Sequence, residues 1–219
     1  MNTLTSNPVA PLLDRLFAAA EATPFPAAAT TMPAAERDRL MRSKTDYRAL
    51  YGALRDMPLA VSREAGRLLY MLARGSKART IVEFGTSFAI STLHLAAGLR
   101  DNGGGQLITC EFEPTKVERA RANLTEGGLI DLVEIREGDA LETLSRDLPD
   151  TIDLLLLDGA KALYPDILSL VERRLRPGAF IVADNADHAP DYLDYVRSPA
   201  NGYLSTPFGE DVELSQRLA

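Results

Sequence analysis

The sequence predicts an α/β protein, a parallel sheet covered by helices on both faces and preceded by a helical arm over residues 1–60. Three observations predict it. In "IDLLLLDGAK" the run Leu154–Leu157 is apolar on both faces, as in a central parallel strand, and it stops at Asp158. From residue 80 onward, strand-like and helix-like segments alternate five times, which implies right-handed crossovers. Upstream of residue 80, only helical patterns occur.

The elements follow in order. "PVAPLLDRLFAAAEA" is rich in Ala and Leu and predicts a first helix, ended by the Pro/Thr/Ala linker "TPFPAAATTMP". "AAERDRLMRSKTDYRALYGALRD" places Leu40, Tyr47, Tyr51 and Leu54 at helical intervals, so one charged helix with one apolar stripe is expected. That stripe packs on the domain or, in the sharper alternative, joins two subunits. "SREAGRLLYMLAR" predicts a third helix, N-capped by Ser62. The alternation then runs "TIVEF" to "ISTLHLAAGLR", "QLITCEF" to "PTKVERARANLTEGG", and "DLVEIRE" to "DALETLSRDL". It closes with "IDLLLL" to "YPDILSLVERRL" and "GAFIVAD" to the segment around "DYLDYVR". The tail "GYLSTPFGEDVELSQRL" leaves no room for a crossover helix, so two strands turning at Gly209 form a hairpin.

Composition excludes several classes. The chain has 219 residues, 46% hydrophobic and 25% charged, enough for one sizeable core. A net charge of -7 argues against a nucleic-acid surface. No apolar run approaches the roughly 20 residues of a membrane span. "MNTLTSNPVAPLLDRL" lacks a basic start followed by an apolar stretch, so a cytoplasmic chain with no secretory signal is expected. The single Cys110 forms no internal disulfide and is expected in the core; with two histidines it makes no typical zinc site. His94 is expected as a packed helix residue and His188 as a loop residue without a role.

Two clusters carry chemistry. In "VEFGTSFAIS", Gly85 follows the first strand and a helix starts near Ile90, which lets a ligand approach backbone at a helix N-terminus. One glycine is not the dinucleotide fingerprint. Glu111, ending the second strand, is placed to accept from ribose hydroxyls, the alternative being a solvated acid that caps the next helix. Phe112 can cover one face of a purine, and Asp139, between Gly138 and Ala140, can accept from an adenine amino group. With Glu83 these describe an adenosyl site. At the other end, Asp158 closes the fourth strand and Asp184 and Asn185 the fifth. Neighbouring strands lie about 4.8 Å apart, so two carboxylates and an amide oxygen can converge on a hard cation such as Mg²⁺. Each alone is commonly a turn former. Beside such a cation the Lys161 ammonium is disfavoured, so its pKa should fall toward that of a general base. The alternative is a solvated lysine in a helix's first turn.

On "VEFGTS", "CEFEP", "LLLLDGAK", "IVADN" and the closing hairpin, the chain from about residue 60 onward resembles class I S-adenosylmethionine-dependent methyltransferases of the cation-dependent, catechol O-methyltransferase-like group. The resemblance implies a Rossmann-like seven-stranded sheet of order 3-2-1-4-5-7-6 with strand 7 antiparallel. It implies an arm over 1–60 and a methyltransferase domain over 61–219. It assigns Lys161 as base and Asp158, Asp184 and Asn185 as metal ligands. Glu83, Gly85, Ser91, Glu111, Phe112, Asp139, Ala140 and Asp158 fall to the cofactor. Expected cofactors are S-adenosylmethionine and Mg²⁺, or Mn²⁺ or Ca²⁺ in its place. Expected partners are a small hydroxylated acceptor, phenolic or catechol-like, and a second subunit joined through the N-terminal helices, with no nucleic acid and no membrane. Ala89 and Ile90 depart from the glycine and aromatic of relatives, and Gly159 and Ala160 from larger side chains. The absence of Trp removes the aromatic walls that hold a flat ring in some relatives. Alternatives are methylation of a modified tRNA base, a nicotinamide-dependent oxidoreductase, and a non-enzymatic adenosyl-binding module.

Overall fold

The computed structural model describes residues 2–26 and 30–219, and residues 27–29 of the expected linker lie outside them. Among the described residues four helices with full bounds come first: α1 (Val9–Ala22), α2 (Ala34–Met41), α3 (Tyr47–Ala53) and α4 (Arg63–Gly75). The alternating part follows as β1 (Thr80–Phe84), α5 (Ile90–Asp101), β2 (Gln106–Glu111), α6 (Pro114–Glu126), β3 (Val133–Glu137) and α7 (Ala140–Thr143). Then come β4 (Ile152–Leu157), α8 (Tyr164–Val171), β5 (Leu175–Ala183), α9 (Pro190–Arg197), β6 (Tyr203–Phe208) and β7 (Val212–Arg217).

The seven strands form one sheet in the order β3-β2-β1-β4-β5-β7-β6. β3, β2, β1, β4 and β5 are parallel, whereas β7 runs antiparallel to both β5 and β6. The apolar run of β4 is explained by two cores. Leu154 and Leu156 face the layer of α1, α4 and α5; Leu155 and Leu157 face the layer of α8 and α9. All four are fully buried, each burial stabilising by about 1.5–3 kcal/mol. On the first layer α4 closes on α5 at two glycines. A Cβ at Gly98 would lie 2.7 Å from Ala73 Cβ, and one at Gly66 2.7 Å from His94 Nε2.

Two expectations need correction. The charged segment of residues 34–56 is not one helix. The Ser43 hydroxyl accepts from Asp46 N (2.9 Å) and Thr45 N (3.3 Å), and this local turn replaces the helical ladder between α2 and α3. The expected helix in "DALETLSRDL" stops at Thr143, because the Arg136 guanidinium collects the carbonyls of Thr143, Arg146 and Asp147. Ser62 caps α4 as expected, accepting from Ala65 N.

Register positions the site. Phe84 pairs with Cys110 on one side and Leu157 on the other, and Leu157 pairs with Ala183. The next residue on each strand therefore forms one row along the carboxyl edge of the sheet: Glu111, Gly85, Asp158 and Asp184.

Candidate active site

The loop after β1 approaches its neighbour as closely as a backbone can. Gly85 has φ +100°, and a Cβ there would lie 2.6 Å from the carbonyl oxygen of Asp158. Only glycine serves at this position. Ser87 and Ala89 also take left-handed backbone, φ 47° and 67°, at a cost of about 1–2 kcal/mol each.

Glu83 and Ser91 lie beneath this loop rather than in the wall of the cleft. Glu83 is fully buried and accepts from the hydroxyls of Ser91 and Thr92, each at 2.6 Å, which ties the start of α5 to β1. Burial pushes its carboxyl up to about 7, against the lowering effect of those hydroxyls. Cys110 is a core residue, its thiol pushed up to about 12 by burial.

The cleft itself is lined by Gly85, Glu111, Phe112, Ala140 and Asp158, together with Phe84 and Lys116. The Glu111 carboxylate accepts from Ser87 N (2.9 Å) and Glu113 N (3.1 Å), while burial raises its pKa. Asp139 stands at the edge, capping α7 through Leu141 N (2.9 Å) and pairing with Arg48 (2.5 Å). Helix α3 fills much of the space. The Tyr47 ring meets Phe112 edge-on at 6.2 Å, and the Tyr51 hydroxyl donates to the Gly159 carbonyl at 3.4 Å. About 590 Å³ of the cleft, mouth included, is free of atoms, of which about 60 Å³ admits the centre of a water molecule.

Asp158 and Asp184 occupy the adjoining corner, Asp184 buried and Asp158 partly so. Burial raises both carboxyls; Asp184 reaches about 7, with the Asp158 charge as its second cause. Two acids forced together in this way share a proton, or would share a divalent cation, which removes the repulsion. Asn185, at φ 47°, donates its amide to Asp211 (2.8 Å), leaving its side-chain oxygen with no partner among the described residues. No three His, Cys, Asp or Glu side chains among the described residues make a metal group, so the donor set is two carboxylates and an amide. It fits a hard cation.

Lys161 Nζ lies 3.3 Å from Asp158 Oδ1 and donates to the Tyr164 hydroxyl at 2.8 Å. Tyr164 in turn donates to the Asp184 carbonyl at 2.8 Å. Burial lowers the Lys161 pKa, but Asp158, Tyr51 and Asp184 more than offset it and the net direction is upward. This is opposite to the expected fall, which presumed a divalent charge beside Asp158. His94 is buried as expected, and His188 is exposed.

A family described as a methyltransferase domain matches residues 82–186. The chain is 37% identical over 127 residues to a catechol O-methyltransferase of Mycobacterium tuberculosis, covering 58% of this chain and 57% of that one. It is 34% identical over 139 residues to a catechol O-methyltransferase of Niastella koreensis, covering 62% of each. It is similar in structure to the O-methyltransferase TomG from Streptomyces achromogenes, involved in tomaymycin synthesis and solved in complex with S-adenosylmethionine. There the identity is 27% and the TM-score 0.67, over 84% of this chain and 90% of the other. On these matches the chain is similar to catechol O-methyltransferase-like methyltransferases. It spans about three fifths of the length of the two catechol O-methyltransferases. This similarity speaks against the nicotinamide alternative.

Sequence reasoning about this cleft missed four side chains. Tyr47 and Tyr51 show as a stripe, but nothing local says that it faces the cleft. Lys116 is buried at 3% exposure in the cleft wall, its pKa lowered by burial, and "EFEPTK" marks it only as a helix start. Tyr164, three residues after Lys161, is the one with a readable signal, since one helical turn brings the two side chains together.

Proposed function

We propose that the protein is an S-adenosylmethionine-dependent O-methyltransferase acting on a phenolic or catechol-like hydroxyl of a small molecule, assisted by a divalent cation. The observation that carries this reading is the single row Glu111, Gly85, Asp158 and Asp184, with Lys161 resting on Asp158. In this reading Gly85 gives the cofactor access to backbone, Glu111 holds its ribose, Phe112 and Ala140 its adenine, and Asp139 the adenine amino group. Glu83 acts through Ser91 as a support for the loop, a positioning residue rather than a contact. Asp158, Asp184 and Asn185 would hold the cation. S-adenosylmethionine supplies an electrophilic methyl group, and a divalent cation supplies charge stabilisation for the acceptor oxygens. Lys161 takes the proton leaving the acceptor hydroxyl at Nζ, and Tyr164 fixes where that nitrogen sits. The remaining contribution is alignment in a site closed to water.

Residues 1–60 act as a cap on a methyltransferase domain over residues 61–219, and they are the segment through which two subunits would join. With Tyr47 and Tyr51 in the cleft, α3 has to withdraw for the cofactor to enter. No helix among the described residues is long and apolar enough to cross a membrane.

The test is calorimetric titration of S-adenosylmethionine, hydrogen exchange of residues 44–56, and turnover of a phenol panel with a labelled methyl donor, before and after chelation. Cofactor binding, faster exchange in α3 and turnover restored by Mg²⁺ are expected. Absence of cofactor binding would sink the proposal, and full turnover after exhaustive chelation would remove the cation from it.

A further inference from the structure

A second cavity has Lys161 in its wall, and about 210 Å³ of it admits the centre of a water molecule, against about 60 Å³ in the cofactor cleft. Lys161 belongs both to the acid corner, through Nζ, and to the wall of this cavity, which makes the cavity the place for the ring of an acceptor that delivers its hydroxyl to Nζ. The walls suit a flat ring although the chain has no Trp. They are made by Ala162, Pro165, Ala189 and Pro190, small side chains and proline faces from the segments that follow β4 and β5. The volume accommodates one aromatic ring with a short substituent; it falls below the roughly 300 Å³ at which drug-sized sites begin.

The charges at the rim are unequal in how they are matched. Lys44 is neutralised by Asp166 at 2.6 Å. Asp191 lies in the first turn of α9, where the helix N-terminus compensates a negative charge. Arg42 is exposed and its guanidinium forms no hydrogen bond or ion pair among the described residues, although the residue lines the cavity. A guanidinium left without a partner at the mouth of a ring-sized cavity is a planar, bidentate donor for a carboxylate.

We infer that the acceptor is a single-ring hydroxylated aromatic acid, with its carboxylate on Arg42 and its hydroxyl at Lys161. This rests on the O-methyltransferase reading and adds the chemical class of the acceptor. Arg42 is then a specificity residue. A charge-assisted pair there contributes about tenfold in selectivity for the acid. Asp191, facing the same mouth with the opposite sign, reduces that preference.

The experiment compares 3,4-dihydroxybenzoate with 3,4-dihydroxybenzamide on the full chain with S-adenosylmethionine and Mg²⁺. It reads kcat/KM for each and, separately, binding of the acid by equilibrium dialysis. An acid-to-amide preference of about tenfold is expected. Arg42→Gln should abolish it, and Asp191→Asn should raise it by a few-fold. Equal use of both acceptors, or an Arg42→Gln variant that keeps the preference, overturns the inference. If neither acceptor is methylated but the acid binds in an Arg42-dependent manner, the carboxylate site stands and the O-methyltransferase reading fails. Acid binding that ignores Arg42 overturns the site itself.

Discussion

Gly159→Ala tests why a glycine follows Asp158. The backbone there accepts alanine, so the effect is steric alone. A Cβ at Gly159 would lie 2.4, 2.5 and 2.6 Å from Cζ, Cε2 and Cε1 of Phe84. Carbon atoms pack best at about 3.5 Å or more, so the ring has to retreat by roughly 1 Å. It has two directions. One leads into the cofactor cleft, which Phe84 lines. The other leads toward Tyr164, whose ring meets Phe84 edge-on at 6.2 Å and whose hydroxyl holds Lys161. Overpacking of this kind costs about 1–3 kcal/mol, and a displacement of about 1 Å near the reacting groups costs up to about 10²-fold in rate. Urea denaturation should show a lowered midpoint, and calorimetry weakened S-adenosylmethionine binding. Phe84→Leu in the same chain should recover part of both, because it vacates the space the methyl group needs. Stability within about 0.5 kcal/mol of the parent, with cofactor affinity and turnover unchanged, would refute the packing account.

Lys161→Ala should lower turnover by roughly 10²- to 10⁴-fold while cofactor affinity stays within a few-fold, and Lys161→Arg should not rescue, since a guanidinium stays protonated. Turnover near neutral pH equal to the parent's would remove Lys161 as base. For acid stability, burial holds the His94 imidazole down at about 4 against its ordinary 6.5. The unfolded chain takes up that proton first, so the contribution is intact above pH 6.5 and is lost on acidification toward pH 4, by about 3 kcal/mol. Glu83, raised to about 7 from 4.5, works in the opposite sense, stabilising as pH falls from 7 to 4.5. The wild-type curve is therefore flattened, and the difference in unfolding free energy between wild type and His94→Gln isolates the histidine. That difference should shrink by about 2–3 kcal/mol between pH 7 and 4.5, and a pH-independent difference would contradict the assignment.

What could be read from the chain depended on how far apart the deciding residues lie. The central place of β4 follows from Leu154–Leu157 alone, since a strand apolar on both faces has to be covered twice. The row of Glu111, Gly85, Asp158 and Asp184 was legible because each residue ends its own strand and parallel register does the rest. The break between α2 and α3 was not, because helical spacing of Leu40, Tyr47 and Tyr51 says nothing about the Ser43 hydroxyl competing for backbone N–H groups. The insertion of Tyr47 and Tyr51 into the cleft, and the exchange of a side chain at Gly159 for the Phe84 ring, are contacts between distant segments. No local pattern encodes them.

The place of β7 bears on how the molecule is made. β7 is the last strand of the sheet to leave the ribosome, yet it lies between β5 and β6. During synthesis β5 therefore emerges with an open edge, and β6 follows with no partner to pair with in the finished register. Unpaired edges invite misassociation while the chain is incomplete. Pro207 gives β6 one position with no N–H to offer, which blunts that edge. When β7 slides in, Asp211 at its head accepts the Asn185 amide, and the Asp211 carbonyl accepts from Ala186 N. The corner that joins β5 to the acid pair is thus the last part of the sheet to be assembled, and a nascent chain short of residue 211 has β1 to β6 but neither β7 nor that corner.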